Sequence, residues 1–215
     1  MHPRVPDKEH PLRLALLISG GGRTMVNLHQ QLLAQELPAE IACVVSSRRD
    51  VAGVARAQEL GLPVTVVDRK ELSDGAFQEQ LTDAVVDCDL ICCAGFLSLW
   101  QIPPSRLGCV INIHPALLPS FGGKGMFGMH VHRAVINANA EESGCSIHYC
   151  DNEYDHGPVI HQRRISVLAG ESPENLAERV FAEECIAYPE VIAMFCKGQV
   201  SPMDEMNGSD RSSVG

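Results

Sequence analysis

The chain has 215 residues, 45% of them hydrophobic and 20% charged, enough apolar material for one globular domain with a sizeable core. A formal net charge of −10, with 17 scattered lysines and arginines, excludes a general nucleic-acid binder, whose phosphate contacts need clustered cations. The segment from Met1 to Pro11 lacks the apolar stretch of a signal peptide, and no later run approaches the ~20 apolar residues of a membrane span. A cytoplasmic protein with no membrane partner is therefore expected.

Residues 1–11 read as a flexible lead. Leu12 to Ile18 is an apolar run broken by Arg13, the pattern of a strand buried on both faces of a parallel sheet. It ends in Ser19-Gly20-Gly21-Gly22. Thr24 is placed to cap a following helix whose stripe is Val26, Leu28, Leu32 and Leu33, and Pro38 stops it. Strand, glycine loop and helix in this order aim backbone N–H groups at one spot, as anion sites do; a plain tight turn is the other reading. The loop is neither G-x-G-x-x-G, which would need glycine at Met25, nor a P-loop. The second strand, Ile41 to Ser46, ends in Ser47-Arg48-Arg49 rather than in the acid that holds an adenosine ribose.

Asp50 reads as an N-cap and Gly61 as the stop of a helix carrying Val51, Val54, Ala55 and Gln58, and Pro63 opens a third strand, Val64 to Val67. Ser73 to Val86 is the next helix, Leu90 to Ala94 the fourth strand and Val110 to Ile113 the fifth. Strands alternating with helices imply right-handed βαβ units and a Rossmann-like α/β fold, a mostly parallel twisted sheet flanked by helices. Ligands of such sheets collect at the carboxyl ends of the strands. Ser19 to Gly22 lies at one such end and Asn112-Ile113-His114 at another. Asn112 and His114 share a face of an extended segment while Ile111 and Ile113 point into the core, so the polar pair can meet a ligand together; the plainer alternative is a strand end whose polar side chains satisfy a turn.

Pro115 to Met129 carries two prolines and four glycines, a length suited to a lid or binding loop. His130 and His132 precede a helix through Arg133 to Asn139, and their spacing also admits a metal pair. Cys145 to Tyr149 alternates, an acidic turn from Asp151 to Pro158 follows, and Val159 to Val167 returns as a strand, giving a hairpin-like extension that bears carboxylates. Ser172-Pro173-Glu174 starts a long helix with a stripe of Leu176, Val180, Phe181, Ile186, Ala187 and Ile192, bent at Pro189 and ended by Gly198. Residues 199–215 read as a disordered polar tail after a single domain over 12–198. The nine cysteines lie largely in apolar runs, where they act as small hydrophobes with reduced thiols, and Cys88, Cys92 and Cys93 lack the partner pair of a structural zinc site.

The ordered motifs Leu16-Leu17-Ile18-Ser19-Gly20, Ala94-Gly95-Phe96-Leu97, Ile111-Asn112-Ile113-His114-Pro115-Ala116-Leu117-Leu118-Pro119, Asp155-His156-Gly157-Pro158-Val159-Ile160 and Glu184-Cys185-Ile186-Ala187-Tyr188-Pro189 resemble the phosphoribosylglycinamide formyltransferases of purine synthesis. The resemblance covers roughly Leu12 to Gly198 and implies the formyltransferase fold. It also implies an enzyme that passes the formyl group of 10-formyltetrahydrofolate to the amine of glycinamide ribonucleotide through a tetrahedral oxyanion. On it, Asn112 and a protonated His114 donate to that oxyanion, and Asp155 favours the cationic imidazole and assists proton transfer. Gly20, Gly21, Gly22, Arg23 and Thr24 fall where the family binds the substrate phosphate, and Glu184 where it contacts the ribose. Phe96, Leu97, Leu99, Cys150, Asp151 and Asp155 fall in the folate pocket. No metal is required.

Three departures stand out: Arg23-Thr24 in place of a small polar pair, a long lid through Phe121-Gly122-Gly123-Lys124-Gly125-Met126-Phe127-Gly128, and Ser98 where a basic residue is common. Arg23 either contacts phosphate or points to solvent. A methionyl-tRNA formyltransferase is expected to be longer at the C-terminus and a formyltetrahydrofolate deformylase longer at the N-terminus. A dinucleotide oxidoreductase lacks its fingerprint here, and a non-catalytic ligand-binding module of the same fold stays open.

Overall fold

A computed structural model describes residues 2–209. The strands are β1 (Leu12–Ile18), β2 (Ala39–Ser46), β3 (Val64–Val66), β4 (Leu90–Cys93), β5 (Val110–His114), β6 (Glu142–Tyr149) and β7 (Val159–Ser166). They form one sheet in the order β3-β2-β1-β4-β5-β6-β7. β1 to β5 run parallel, whereas β6 and β7 pair antiparallel, so the hairpin-like extension continues the same sheet. The helices are α1 (Arg23–Ala34), α2 (Ala52–Glu59), α3 (Asp74–Ala84), α4 (Met129–Asn137), α5 (Pro173–Cys196) and α6 (Met203–Ser209).

The apolar run of β1 is explained by what lies on each face. Leu12, Leu14, Leu16 and Ile18 join a cluster with Leu28 of α1 and Tyr188 and Val191 of α5. Ala15 and Leu17 join a second cluster with Phe77 and Leu81 of α3 and with Trp100. A central parallel strand is covered by helices on both sides, so alternation gives way to continuous burial. The chain leaves β1 for β2 on one side and for β4 on the other, and the crevice at this reversal lies between the segments after β1 and β4. Ser19 N donates to Gly95 O across it at 3.1 Å.

Several local expectations differ from the structure. The cap of α1 is Gly22, in a left-handed conformation at φ 70°, and not Thr24. The buried residues of α1 are Met25, Leu28 and Leu32, while Leu33 is exposed, because the helix begins at Arg23 and the stripe is rotated accordingly. α2 is capped by Val51 rather than Asp50. His130 and His132 lie inside α4. α5 runs through Pro189 to Cys196, and Tyr188 Oη donates to the Cys93 carbonyl at 3.1 Å, securing this helix to the sheet.

Described residues near both ends of the chain pack on the domain. Pro3 and Pro6 are buried, Arg4 donates to the carbonyls of His10 and Pro11 at 2.8 and 2.9 Å, and the His2 ring packs on Phe195 at 5.8 Å. The lead is thus fastened to the end of α5. Beyond Gly198, Val200 is buried, Tyr149 Oη donates to Ser201 O at 3.0 Å, and Met203 and Met206 of α6 pack on the main core. Met203 and Met206 stand one helical turn apart, a small apolar face within a polar stretch. Over 203–209 the expected disordered tail is a helix; residues 210–215 lie outside the described residues. No helix of the described residues is long and apolar enough to cross a membrane.

Candidate active site

β5 delivers Asn112 and His114 to the carboxyl edge, with Ile111 and Ile113 in the core cluster shared with α5. Antiparallel pairing sets Asn112 opposite His148 and His114 opposite Ser146. His148 Nδ1 lies 2.8 Å from the Tyr149 carbonyl oxygen, so that nitrogen carries the proton and Nε2 is an acceptor. Asn112 Nδ2 donates to His148 Nε2 at 3.0 Å and stands 3.4 Å from Asp155 Oδ1. The first contact fixes the amide's orientation. The second is long, leaving that N–H weakly committed.

Asp155 comes from the turn between β6 and β7. Gly157 makes the turn feasible, since a Cβ there would stand 2.0 Å from the Tyr149 carbonyl oxygen. Asp155 itself has φ 53°, a left-handed conformation that aspartate tolerates better than most side chains. Its Oδ2 accepts from the Gly123 amide of the lid at 2.9 Å and lies 3.4 Å from His114 Nδ1. His114 Nε2 lies 2.8 Å from the Phe121 carbonyl oxygen. His114 is thus flanked by two acceptors, and both lid contacts hold the stem of the 115–129 segment against the site.

Burial would raise the Asp155 carboxyl, but the neighbouring His148 and His114 rings and the Gly123 amide outweigh it and hold it below its ordinary range. Burial pulls His114 below the ordinary imidazole value, against the opposing pull of Asp155 and the Phe121 carbonyl. Asp155 does pull toward the cationic ring, but desolvation outweighs it, so the resting ring is neutral at pH 7 beside an ionised carboxylate. Uptake of a second proton would convert the 3.4 Å approach to Asp155 into a charge-assisted bond.

The glycine loop has its own electrostatics. Gly22 supplies no side-chain cap to α1, and no acid stands in the first turn, so the opening amides of the helix lack an internal anion. Arg23 forks onto Glu178 at 2.9 and 2.7 Å and lies 3.8 Å from the Phe181 ring centre. Of the two readings of this side chain, contact with solvent or with phosphate, the structure shows a third: an exposed ion pair on α5.

Three cavities share walls. One of about 420 Å³ is lined by Asn112, His114, Asp155, Thr24, Glu184, Phe96, Leu97, Tyr154 and the lid from Gly123 to Gly128. A narrower one, about 90 Å³, continues past Asn112 and Asp155 between Phe96, Leu99, Trp100, Cys150 and Asp151. A third, about 260 Å³, meets the first at Thr24 and Gly95 and is walled by Gly20, Gly21, Gly22, Arg23 and Phe181. All the residues expected at a phosphate, ribose or folate subsite therefore line this connected cleft. The Asp151 carboxylate is already engaged by His156 Nδ1 at 2.7 Å and by the Glu153 amide at 2.8 Å. Glu184 is half-buried, and desolvation, opposed by Arg23, pushes its carboxyl up to about 7.

His148 is the principal residue that sequence reading missed. The signal was present in the alternation Ser146-Ile147-His148, which puts His148 on the face of Asn112 once the β5–β6 register is known. His130 is exposed and meets Phe127 edge-on at 5.4 Å, whereas His132 is buried, and no cluster of three or more metal-ligating side chains occurs among the described residues.

A Rossmann-like sheet with an amide, two imidazoles and a carboxylate gathered at its carboxyl edge, facing a cleft, defines an α/β protein with a candidate site at that edge. Residues 12–192 match the family model described as formyl transferase, and the chain belongs to that family. Among its relatives, the chloroplastic phosphoribosylglycinamide formyltransferase of Arabidopsis thaliana is 36% identical over 197 residues, covering 87% of this chain and 66% of that protein. The chain thus spans just under two thirds of that plant relative. Among solved structures, glycinamide ribonucleotide transformylase 1 from Symbiobacterium toebii superposes with a TM-score of 0.81 at 30% identity, covering 90% of this chain and 95% of that one. Phosphoribosylglycinamide formyltransferase from Coxiella burnetii does so with a TM-score of 0.79 at 36% identity, covering 88% and 89%.

Proposed function

We propose that this protein transfers the formyl group of 10-formyltetrahydrofolate to the amine of glycinamide ribonucleotide, a step of purine biosynthesis. The observation that carries this reading is the convergence of Asn112, His114 and Asp155 on one cavity that joins a glycine-loop compartment to a narrow, largely apolar one. Transfer between two substrates needs two subsites meeting at the reacting atoms. The glycine loop and the uncapped start of α1 suit a phosphate, Glu184 suits ribose hydroxyls, and the cleft between Phe96, Leu99 and Cys150 suits a flat heteroaromatic ring. The Arg23–Glu178 pair is exposed and screened by solvent, so Arg23 can exchange it for the phosphate.

Asn112 supplies the N–H held loosely toward Asp155 to the oxyanion that develops when the amine attacks the formyl carbon. His114, neutral at rest, accepts the proton that the amine loses on forming its new bond and becomes the cation that Asp155 stabilises. Returned to the leaving nitrogen, that proton completes the exchange of one C–N bond for the other. The decisive experiment supplies both substrates and follows tetrahydrofolate release. Folate binding without turnover would indicate a binding module, and formate release without the nucleotide would indicate a deformylase.

A further inference from the structure

The glycine loop is held from behind by α2. Gly53 N donates to Gly20 O at 3.0 Å, Arg56 Nη1 donates to Gly21 O at 2.6 Å, and Val26 N donates to Gly22 O at 3.0 Å. Three successive loop carbonyls are thereby engaged by protein donors. The approach is as close as backbone permits: a Cβ on Gly53 would stand 2.6 Å from Gly20 O. The loop compartment is lined by Gly20, Gly21, Gly22, Arg23 and Thr24, and neither Gly53 nor Arg56 reaches it. With these carbonyls occupied, the loop backbone is fixed beside the compartment that Gly20, Gly21 and Gly22 line.

We propose that Arg56 is a positioning residue for the nucleotide phosphate. Its guanidinium, bonded to the Gly21 carbonyl, holds the loop backbone beside the compartment and adds a fixed positive charge behind it. This rests on the reading of the glycine loop as the phosphate subsite. The front-side cation, Arg23, is paired with Glu178 until a phosphate displaces that carboxylate, whereas Arg56 is bonded to the loop itself. Losing a charge-assisted bond and a nearby charge weakens an interaction made alike in the ground and transition states, so the effect falls on KM rather than on kcat.

The test compares wild type, Arg56→Met, Arg56→Gln and Arg56→Lys, varying glycinamide ribonucleotide at saturating formyl donor, with inorganic phosphate as competitive inhibitor. Both neutral variants should raise KM about tenfold, with kcat within about twofold, and the phosphate inhibition constant should rise in the same ratio; Arg56→Lys should recover most of the loss. A phosphate-inhibited wild type with unchanged KM and inhibition constant in both neutral variants overturns the role of Arg56. A loss of kcat and of melting temperature with no KM change also overturns it, as the mark of a merely structural residue. If wild type is indifferent to inorganic phosphate and takes the dephosphorylated riboside as well as the nucleotide, the phosphate subsite itself is wrong.

Discussion

Asn112 Nδ2 and His148 Nε2 stand 3.0 Å apart across the β5–β6 pair, and this contact decides which way the Asn112 amide faces. His148 is a positioning residue in this arrangement. Replacing it with phenylalanine keeps ring volume and removes the acceptor, freeing the amide to rotate. His148→Phe is expected to lower kcat about tenfold to a hundredfold with little change in KM, and Asn112→Ala to lower it by ~10²–10³. Steady-state kinetics on folded variants checks both, and a normal kcat in His148→Phe would separate His148 from the amide's orientation.

Asp155 serves the site and the lid together, through His114 and the Gly123 amide. Asp155→Asn removes the charge that awaits the imidazolium, and kcat should fall by about 10² or more. The pH dependence of stability follows from the shifts. The Asp155 carboxyl is depressed in the folded state, so its stabilisation is present above its ordinary value of 3.8 and is lost as pH falls through the lower folded value. His114 is also lowered: the unfolded chain takes its proton near the ordinary 6.5, before the folded one does, so stability declines as pH falls below that value. Glu184, raised from 4.5 to about 7 in the folded state, works in the opposite direction between those values, so the check compares variants: the fall in urea midpoint below pH 6.5 should be smaller in His114→Gln than in wild type.

Glu184 offers a separate pH signature. Burial brings its carboxyl to about 7, and an ionised carboxylate is the better acceptor for ribose hydroxyls. KM for the nucleotide should therefore climb as pH drops below about 7, approaching tenfold per unit. Glu184→Gln should flatten this limb while raising KM at pH 8. A limb unchanged in Glu184→Gln would assign the titration to another group.

Gly157 lets the Asp155 turn pass over β6. Alanine there would place its Cβ 2.0 Å from the Tyr149 carbonyl oxygen, which the backbone can relieve only by moving the turn. Gly157→Ala should cost about 3 kcal/mol in chemical denaturation, and kcat should fall with it because Asp155 shifts. A stable Gly157→Ala with full activity would mean that the turn is more pliant than its packing indicates.

Much of the fold was legible because burial imposes simple patterns. The β1 run, the Ser172-Pro173-Glu174 start of α5 and the positive-φ stop at Gly61 are local signals that tertiary packing had no reason to override. The α1 cap was misplaced because Gly22 acts through its backbone, which a search for polar side chains does not detect. Near the chain ends the anchors of the described residues are isolated contacts, His2 on Phe195 and Met203 and Met206 on the core, in segments polar by composition, so local sequence carries little sign of them.

The sequence by itself determined the order of strands and helices, the carboxyl edge on which ligands gather, and the residue types available there: Asn112, His114, Asp155, Glu184 and the glycine loop. Tertiary structure alone decided how they are arranged. It brought His148 to Asn112 through a strand register, bound Gly21 to Arg56 on a neighbouring helix and committed Arg23 to Glu178. It also made His114 a neutral ring rather than a resting cation. Local sequence encodes periodicity and turns, but contact across strands and the desolvation of a side chain depend on every segment that folds over it, and these set the protonation and orientation on which the chemistry depends.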